Sequence, residues 1–398
     1  MLFSMEAVVL ALLAFGGAGG IAWVISAANK RTLARRNEYA TTAQRLGLTF
    51  SRGPQFDRYI HAKRFRDEMY GTYDGHDVYV GVRTYTTSSG KSSQTHYYTY
   101  IDLFYETPLK RGLSCATAAG ISKFFGSIFG QADMQLGHDK IDYDYKISGL
   151  DKQLIAPILT APEVEQILVT PRGRFALYIG DAMIRIECPG DVIDVETLQP
   201  RVAEIVALAR ALVAAWRAGP PSAEERAIEP VWRPLCEQKR LALDARGMRA
   251  TGEKNDLAMR VEVELDEKKG FETVVETSFD PPLAVSLELQ TEGTFSGIKK
   301  LFGGQDIEVG HAQFDKTFVV KGKDPQLVKQ MLNTDACTHI LEVLGRATAL
   351  RIDDNHVQLR LTGVVADGAQ LSSLMEGVAR IAGAMVSHRR VTPEGPYR

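Results

Sequence analysis

The chain carries two copies of one unit, and this duplication restricts its fold more than any compositional property does. Residues 129–168 and 302–341 align without a gap at a constant offset of 173. The matched pairs include Phe129/Phe302, Gly130/Gly303, Asp133/Asp306, Gly137/Gly310, His138/His311, Asp142/Asp315, Gly149/Gly322, Asp151/Asp324 and Leu159/Leu332. Similarity continues more loosely on both sides, where Tyr105–Leu109 answers Phe279–Leu283 and Ile184–Ile186 answers Leu359–Leu361. The chain should therefore hold two related domains, and its 398 residues leave each of them enough length to bury a core.

Between the copies lies AGPPSAEERAIE, Ala218–Glu229, whose Pro-Pro pair and polar composition predict a linker. This places repeat 1 at 37–217, the linker at 218–227, repeat 2 at 228–390 and a tail at 391–398. In the first copy Asp77–Tyr85 and Tyr97–Tyr105 have strand composition, joined by a Ser/Thr-rich tip at 86–95. Their counterparts are Leu257–Leu265 and Phe271–Phe279. Alternation predicts further strands near Ile141–Ile147 and Phe314–Val320. Asp151 and Asp324 stand where helix N-caps belong, and Pro325 occupies the favoured first helical position. Another hairpin follows in each copy, Phe175–Ile179 with Met183–Cys188 and Ala349–Asp353 with Val357–Leu361, and a helix closes the unit at Glu196–Trp216 and Gly368–His388. The fold class is α+β with mainly antiparallel sheets.

Ahead of the repeats, residues Ala7–Ala28 contain no charge, and as a helix they would cross the ~30 Å hydrocarbon core of a bilayer. Glu6 precedes the stretch, while Lys30, Arg31, Arg35 and Arg36 follow it within a basic segment at 29–36. That order opposes a cleavable signal peptide and predicts a single-pass anchor with the N-terminus outside and the repeats in the cytoplasm. Four cysteines without close spacing suit a reducing compartment. Gly16 and Gly20 form a small-xxx-small pair that would permit helix dimerisation.

The segments Ile141-Asp142-x-x-Tyr145-x-Ile147-x-Gly149-x-Asp151 and Phe314-Asp315-x-x-Phe318-x-Val320-x-Gly322-x-Asp324 resemble a family of uncharacterised bacterial membrane-anchored proteins. The shared feature is a duplicated F-D-x-x-F-x-V-x-G-x-D core, about forty residues in each half. The resemblance implies a strand-turn-helix unit, an anchor in a bacterial inner (cytoplasmic) membrane and no known activity.

Chemistry-bearing motifs are sparse. The duplicated Gly-His followed by Asp makes His138, Asp142, His311 and Asp315 the candidates for acid–base work, against the structural reading that each Asp satisfies a turn's backbone donors. Cys337-x-His339 offers too few ligands for zinc, and no Walker, dinucleotide-binding or H-E-x-x-H pattern occurs, so no cofactor or metal is expected. A near-balanced charge of −2 and tyrosines without a basic run argue against nucleic acid. Ile121, Phe124, Phe125, Ile128 and Phe129 share one apolar helical face that could meet the membrane or a protein partner. The expectation is a membrane-anchored cytoplasmic interaction or scaffold protein, with a protein partner or homodimer. The alternative is a membrane-attached, hydrolase-like enzyme with a site between the repeats.

Overall fold

A computed structural model describes residues 33–51, 68–89, 92–117, 133–254, 256–266, 268–291 and 307–389. The chain divides into two compact units, Met1–Gly219 and Pro220–Arg398. The apolar stretch 7–28, residues 29–32 of the basic segment, the apolar face from Ile121 to Phe129 and the tail 391–398 lie outside the described residues. Among the described residues no helix is long and apolar enough to cross a membrane.

The first unit opens with a helix over residues 33–45 (α1) and the strand β1, Thr49–Ser51. There follow β2 (Glu68–Tyr73), β3 (His76–Ser89), β4 (Ser92–Phe104) and β5 (Ser114–Thr117). The duplicated segment supplies α2 (Asp139–Asp144), β6 (Tyr145–Ser148), α3 (Lys152–Leu159) and α4 (Pro162–Leu168). A hairpin, β7 (Ala176–Gly180) with β8 (Met183–Pro189), leads into the long closing helix α5 (Val195–Ala218). The second unit runs in the same order: α6 (Ala223–Lys239), β9 (Ala242–Asp244), β10 (Arg249–Lys254), β11 (Leu257–Asp266), β12 (Gly270–Ser278), β13 (Glu288–Thr291), α7 (Ala312–Thr317), β14 (Phe318–Lys321), α8 (Pro325–Met331), α9 (Thr334–Leu344), β15 (Ala349–Asp353), β16 (His356–Thr362) and α10 (Gly368–Arg389).

Each unit builds one eight-stranded antiparallel sheet, ordered β1-β2-β3-β4-β8-β7-β5-β6 and β9-β10-β11-β12-β16-β15-β13-β14. The two orders are one topology, so the protein is α+β with two tandem sheet domains. Alternation along the central strands sends Val78, Val80, Ile101, Leu103, Ile184 and Ile186 into the first core, beneath Leu198, Val202, Ile205 and Leu212 of α5. Val261, Val263, Val275, Leu359 and Leu361 do the same in the second, beneath Leu371, Leu374, Val378 and Ile381 of α10. Thr99 and Thr273 repeat one fastening: each hydroxyl donates to a carbonyl, of Gly190 or Gly363, and accepts from the N–H of Val192 or Val365. This ties the chain leaving the last strand to the centre of the sheet.

Three local readings of the sequence change. The stretches expected as strands at Ile141–Ile147 and Phe314–Val320 are single helical turns followed by four-residue strands. Phe314 and Phe318 stack at 4.7 Å between ring centroids, as i, i+4 neighbours do on a helix. The tip at 86–95 is largely strand, with the β3–β4 ladder continuing to Ser89↔Ser92. The region 218–227 is a linker only in part, since α6 begins at Ala223. A capping box starts it: the Ser222 hydroxyl accepts from the N–H of Glu225, and the Glu225 carboxylate accepts from the N–H of Ser222. Of the basic segment 29–36, Arg35 lies in α1 and pairs with Asp191 at 2.6 Å.

Candidate functional site

The duplicated Gly-His and Asp positions form a local bracket. Gly137 and Gly310 have φ of 89° and 92°, a left-handed backbone that glycine adopts without penalty. The turn so formed aims consecutive N–H groups at one point. Asp142 accepts there from Leu136 (2.8 Å), Gly137 (2.8 Å) and His138 (3.0 Å), and Asp315 accepts from Val309 and Gly310, both at 2.9 Å. Burial opposes the charge on Asp142, but the three backbone donors outweigh it and hold its carboxyl below the ordinary range. The histidines are N-caps: Nδ1 of His138 accepts from the N–H of Ile141, and Nδ1 of His311 from that of Phe314. Each His and its Asp are thus turned onto the backbone of their own turn. Asp151 and Asp324 cap α3 and α8, accepting from Gln153 and from Gln326 and Leu327 respectively.

A second duplicated carboxylate was hidden in the sequence. Asp181, in the β7–β8 turn, accepts from the N–H groups of Arg111, Gly112 and Leu113; Asp354, in the β15–β16 turn, accepts from Val285, Ser286 and Leu287. Left-handed residues at Lys110 and Gly112, and at Ala284 and Ser286, curl each loop into an anion nest. The chain fills both nests with its own aspartate. Burial pushes the Asp181 carboxyl up despite the three donors.

The most concentrated chemistry lies on the sheet face opposite the helices of the first unit. Tyr100 lies over Gly81, where a Cβ would come within 2.3 Å of the phenolic oxygen, and donates to Glu68 at 3.3 Å. The guanidinium carbons of Arg83 and Arg185 sit 5.2 and 5.3 Å from its ring centroid. Arg185 forks onto Asp102 with two contacts of 2.5 Å, and Glu187 is the neighbouring acid. All six side chains are buried. Burial raises Glu68 and Glu187 above the carboxylate range, against the opposing pull of the Tyr100 hydrogen bond on the former and of the two arginines on the latter. Burial also lowers Arg83, and the neighbouring Arg185 charge adds to that.

The second unit uses the same positions, and at one pair the signs are exchanged. The registers Val80↔Ile101↔Ile186 and Val261↔Val275↔Leu359 make Arg83 and Glu187 equivalent to Glu264 and Arg360, which meet at 2.8 Å; they also shift by two residues the sequence pairing of Ile184–Ile186 with Leu359–Leu361, because Ile186 is the structural counterpart of Leu359. Asp102 and Arg185 become Glu276 and Gln358, hydrogen-bonded at 2.7 Å. Arg260 bridges Glu262 and Glu276 at 3.1 Å each. The alternating positions were visible in the sequence, but the pairing needed the strand register.

The described cysteines, Cys115, Cys188, Cys236 and Cys337, are free and buried, and burial raises all four thiols, Cys337 to about 12. No group of three or more His, Cys, Asp or Glu able to hold a metal ion occurs among the described residues. A shallow cleft of about 530 Å³ opens in the second unit, lined by Val309, Gly310, His311, Lys329, Asn333 and Thr334 among others. It contains one of the four sequence-level candidates and does not bring a second one to it.

No protein-family model matches the sequence, and no curated protein is significantly similar to it. Among solved structures, the crystal structure of the mycobacterial trehalose monomycolate transport factor A, TtfA, aligns over 48% of this chain and 98% of that chain. The identity is 12% and the TM-score 0.29, too low for the likeness to inform fold or role.

Proposed function

We propose that the protein is a membrane-anchored adapter: the apolar stretch 7–28 holds two related α+β domains at the inner face of a bacterial membrane, where their surfaces engage another protein or a second copy. One observation carries this reading. Five pairs of polar residues that the two copies share, His138/His311, Asp142/Asp315, Asp151/Asp324, Asp181/Asp354 and Thr99/Thr273, hydrogen-bond to the chain's own backbone. Diverged copies of an enzyme usually leave at least one recognisable acid, base or nucleophile directed at a substrate. The buried thiols, with raised pKa, are poor nucleophiles.

Two experiments test the two halves of the proposal. Crosslinking in native membranes followed by affinity purification of the full chain should recover a stoichiometric partner or a self-associated form. A chain recovered alone and monomeric overturns the adapter reading. For topology the native cysteines are unsuitable because they are buried, so the reporter is Tyr143→Cys at a side chain that is 84% exposed. A membrane-impermeant thiol reagent should label it only after permeabilisation, and labelling of intact cells overturns the inside placement.

A further inference from the structure

The two copies differ at one duplicated donor. In the first unit the imidazole of His138 is used at both ends: Nδ1 caps α2, and Nε2 meets the carboxylate of Glu165, from α4, at 3.1 Å. In the second unit His311 caps α7 in the same way, but the residue at the position of Glu165 is Thr338, whose hydroxyl donates to the carbonyl of Thr334 one turn back. No described carboxylate meets His311 Nε2. Beside His311 opens the cleft of about 530 Å³, whose wall includes Thr334, the residue that accepts from Thr338. A further change points the same way: Ala156 of the first copy is replaced by Lys329, an exposed cation on the cleft wall. Asp315, the nearest duplicated acid, is held by the N–H groups of Val309 and Gly310.

We infer that the His311–Lys329 cleft binds a carboxylate side chain of a partner polypeptide, in the position that Glu165 occupies within the first copy. The occupant is a side chain on a polypeptide because that is how the carboxylate arrives in the first copy, on the short helix α4. The cleft is shallow, with Val309 and Leu332 beside the His311 imidazole and the Lys329 ammonium. This suits a glutamate and its neighbours better than a free metabolite that must be enclosed. The inference rests on the adapter reading for the identity of the occupant, and it turns the first copy into the self-occupied form of the same site.

The test is fluorescence polarisation of a fluorescein-labelled Gly-Glu-Gly-Glu-Gly peptide with the full chain in detergent, beside the matching Gln peptide and inorganic phosphate as competitor. The Glu peptide should bind and the Gln peptide should bind at least tenfold more weakly, about 1.4 kcal/mol. Three variants locate the site. Thr338→Glu installs the carboxylate of the first copy and should abolish binding; Lys329→Ala should weaken it several-fold. His311→Asn keeps an N-cap residue while removing the Nε2 donor, so it should lose binding tenfold without unfolding α7. Equal binding of the Gln peptide, displacement by phosphate more readily than by acetylated Glu peptide, or an unchanged affinity in Thr338→Glu each overturns the assignment. Any of these results leaves the partner-recovery experiment untouched, so the two readings fail separately.

Discussion

The bracket at Asp142 gives a quantitative expectation that separates a structural carboxylate from a catalytic one. In Asp142→Ala the N–H groups of Leu136, Gly137 and His138 lose their acceptor together. A hydrogen bond to a charged group contributes about 1.5–3 kcal/mol when shielded, and nearer 1 kcal/mol where water can replace the acceptor. The Gly137 contact is exposed and the other two are partly buried, so the sum is put at about 2 kcal/mol rather than three full charged bonds. Local opening should then rise roughly thirtyfold, at 1.4 kcal/mol per factor of ten. Hydrogen exchange with mass spectrometry on the full chain reads this directly as the protection of a peptide spanning 133–150, and the equivalent peptide around Asp315 serves as internal control. The pH dependence has a definite sign. The folded-state pKa of Asp142 is depressed, so its stabilisation is present above the ordinary carboxylate range and is lost as pH falls through the lower folded value. Protection corrected for intrinsic rates should therefore decline in acid in the wild type and show a flatter profile in Asp142→Asn. Unchanged protection in Asp142→Ala would refute the bracket and return this aspartate to the acid–base candidates.

Three further outcomes follow from the sheet face and the thiols. Arg83→Glu or Glu187→Arg alone should cost about 3–5 kcal/mol by leaving buried charge uncompensated, whereas the double exchange, which copies Glu264 and Arg360, should recover at least half of the combined loss; denaturant unfolding of the four proteins measures the coupling. Gly81→Ala should displace Tyr100 from its place between the two arginines, lowering stability by about 1–3 kcal/mol and changing the near-ultraviolet circular dichroism, because the new Cβ would sit 2.3 Å from the phenolic oxygen. The four cysteines should resist Ellman's reagent at pH 8 in the folded chain and react fully in denaturant, since burial both shields the thiols and raises their pKa.

What the sequence disclosed depends on how local the signal was. The duplication, the order of elements and the caps Asp151 and Asp324 are all contained in short runs of residues, and each could be read without knowing the fold. The turn-and-strand segment is ambiguous in the sequence for a definite reason: Phe314 and Phe318, like Ile141 and Tyr145, are four apart, and four is both an even number and about one helical turn, so the pair satisfies the strand and the helix patterns equally. The capping box Ser222-x-x-Glu225 is an equally local signal, and it marks the helix start inside 218–227 despite the preceding Pro-Pro. Asp181 and Asp354 carried no local sign at all, because their donors come from loops some seventy residues earlier, as the separations of 68 and 69 from Leu113 and Val285 make plain. The exchanged charges show the limit most clearly. Position by position, Arg83 against Glu264 and Glu187 against Arg360 look like divergence between the copies. Once β8 is placed beside β4 and β16 beside β12, each exchange is the partner of the other, and what the two copies share is a compensated pair across the sheet rather than a charge at any single residue.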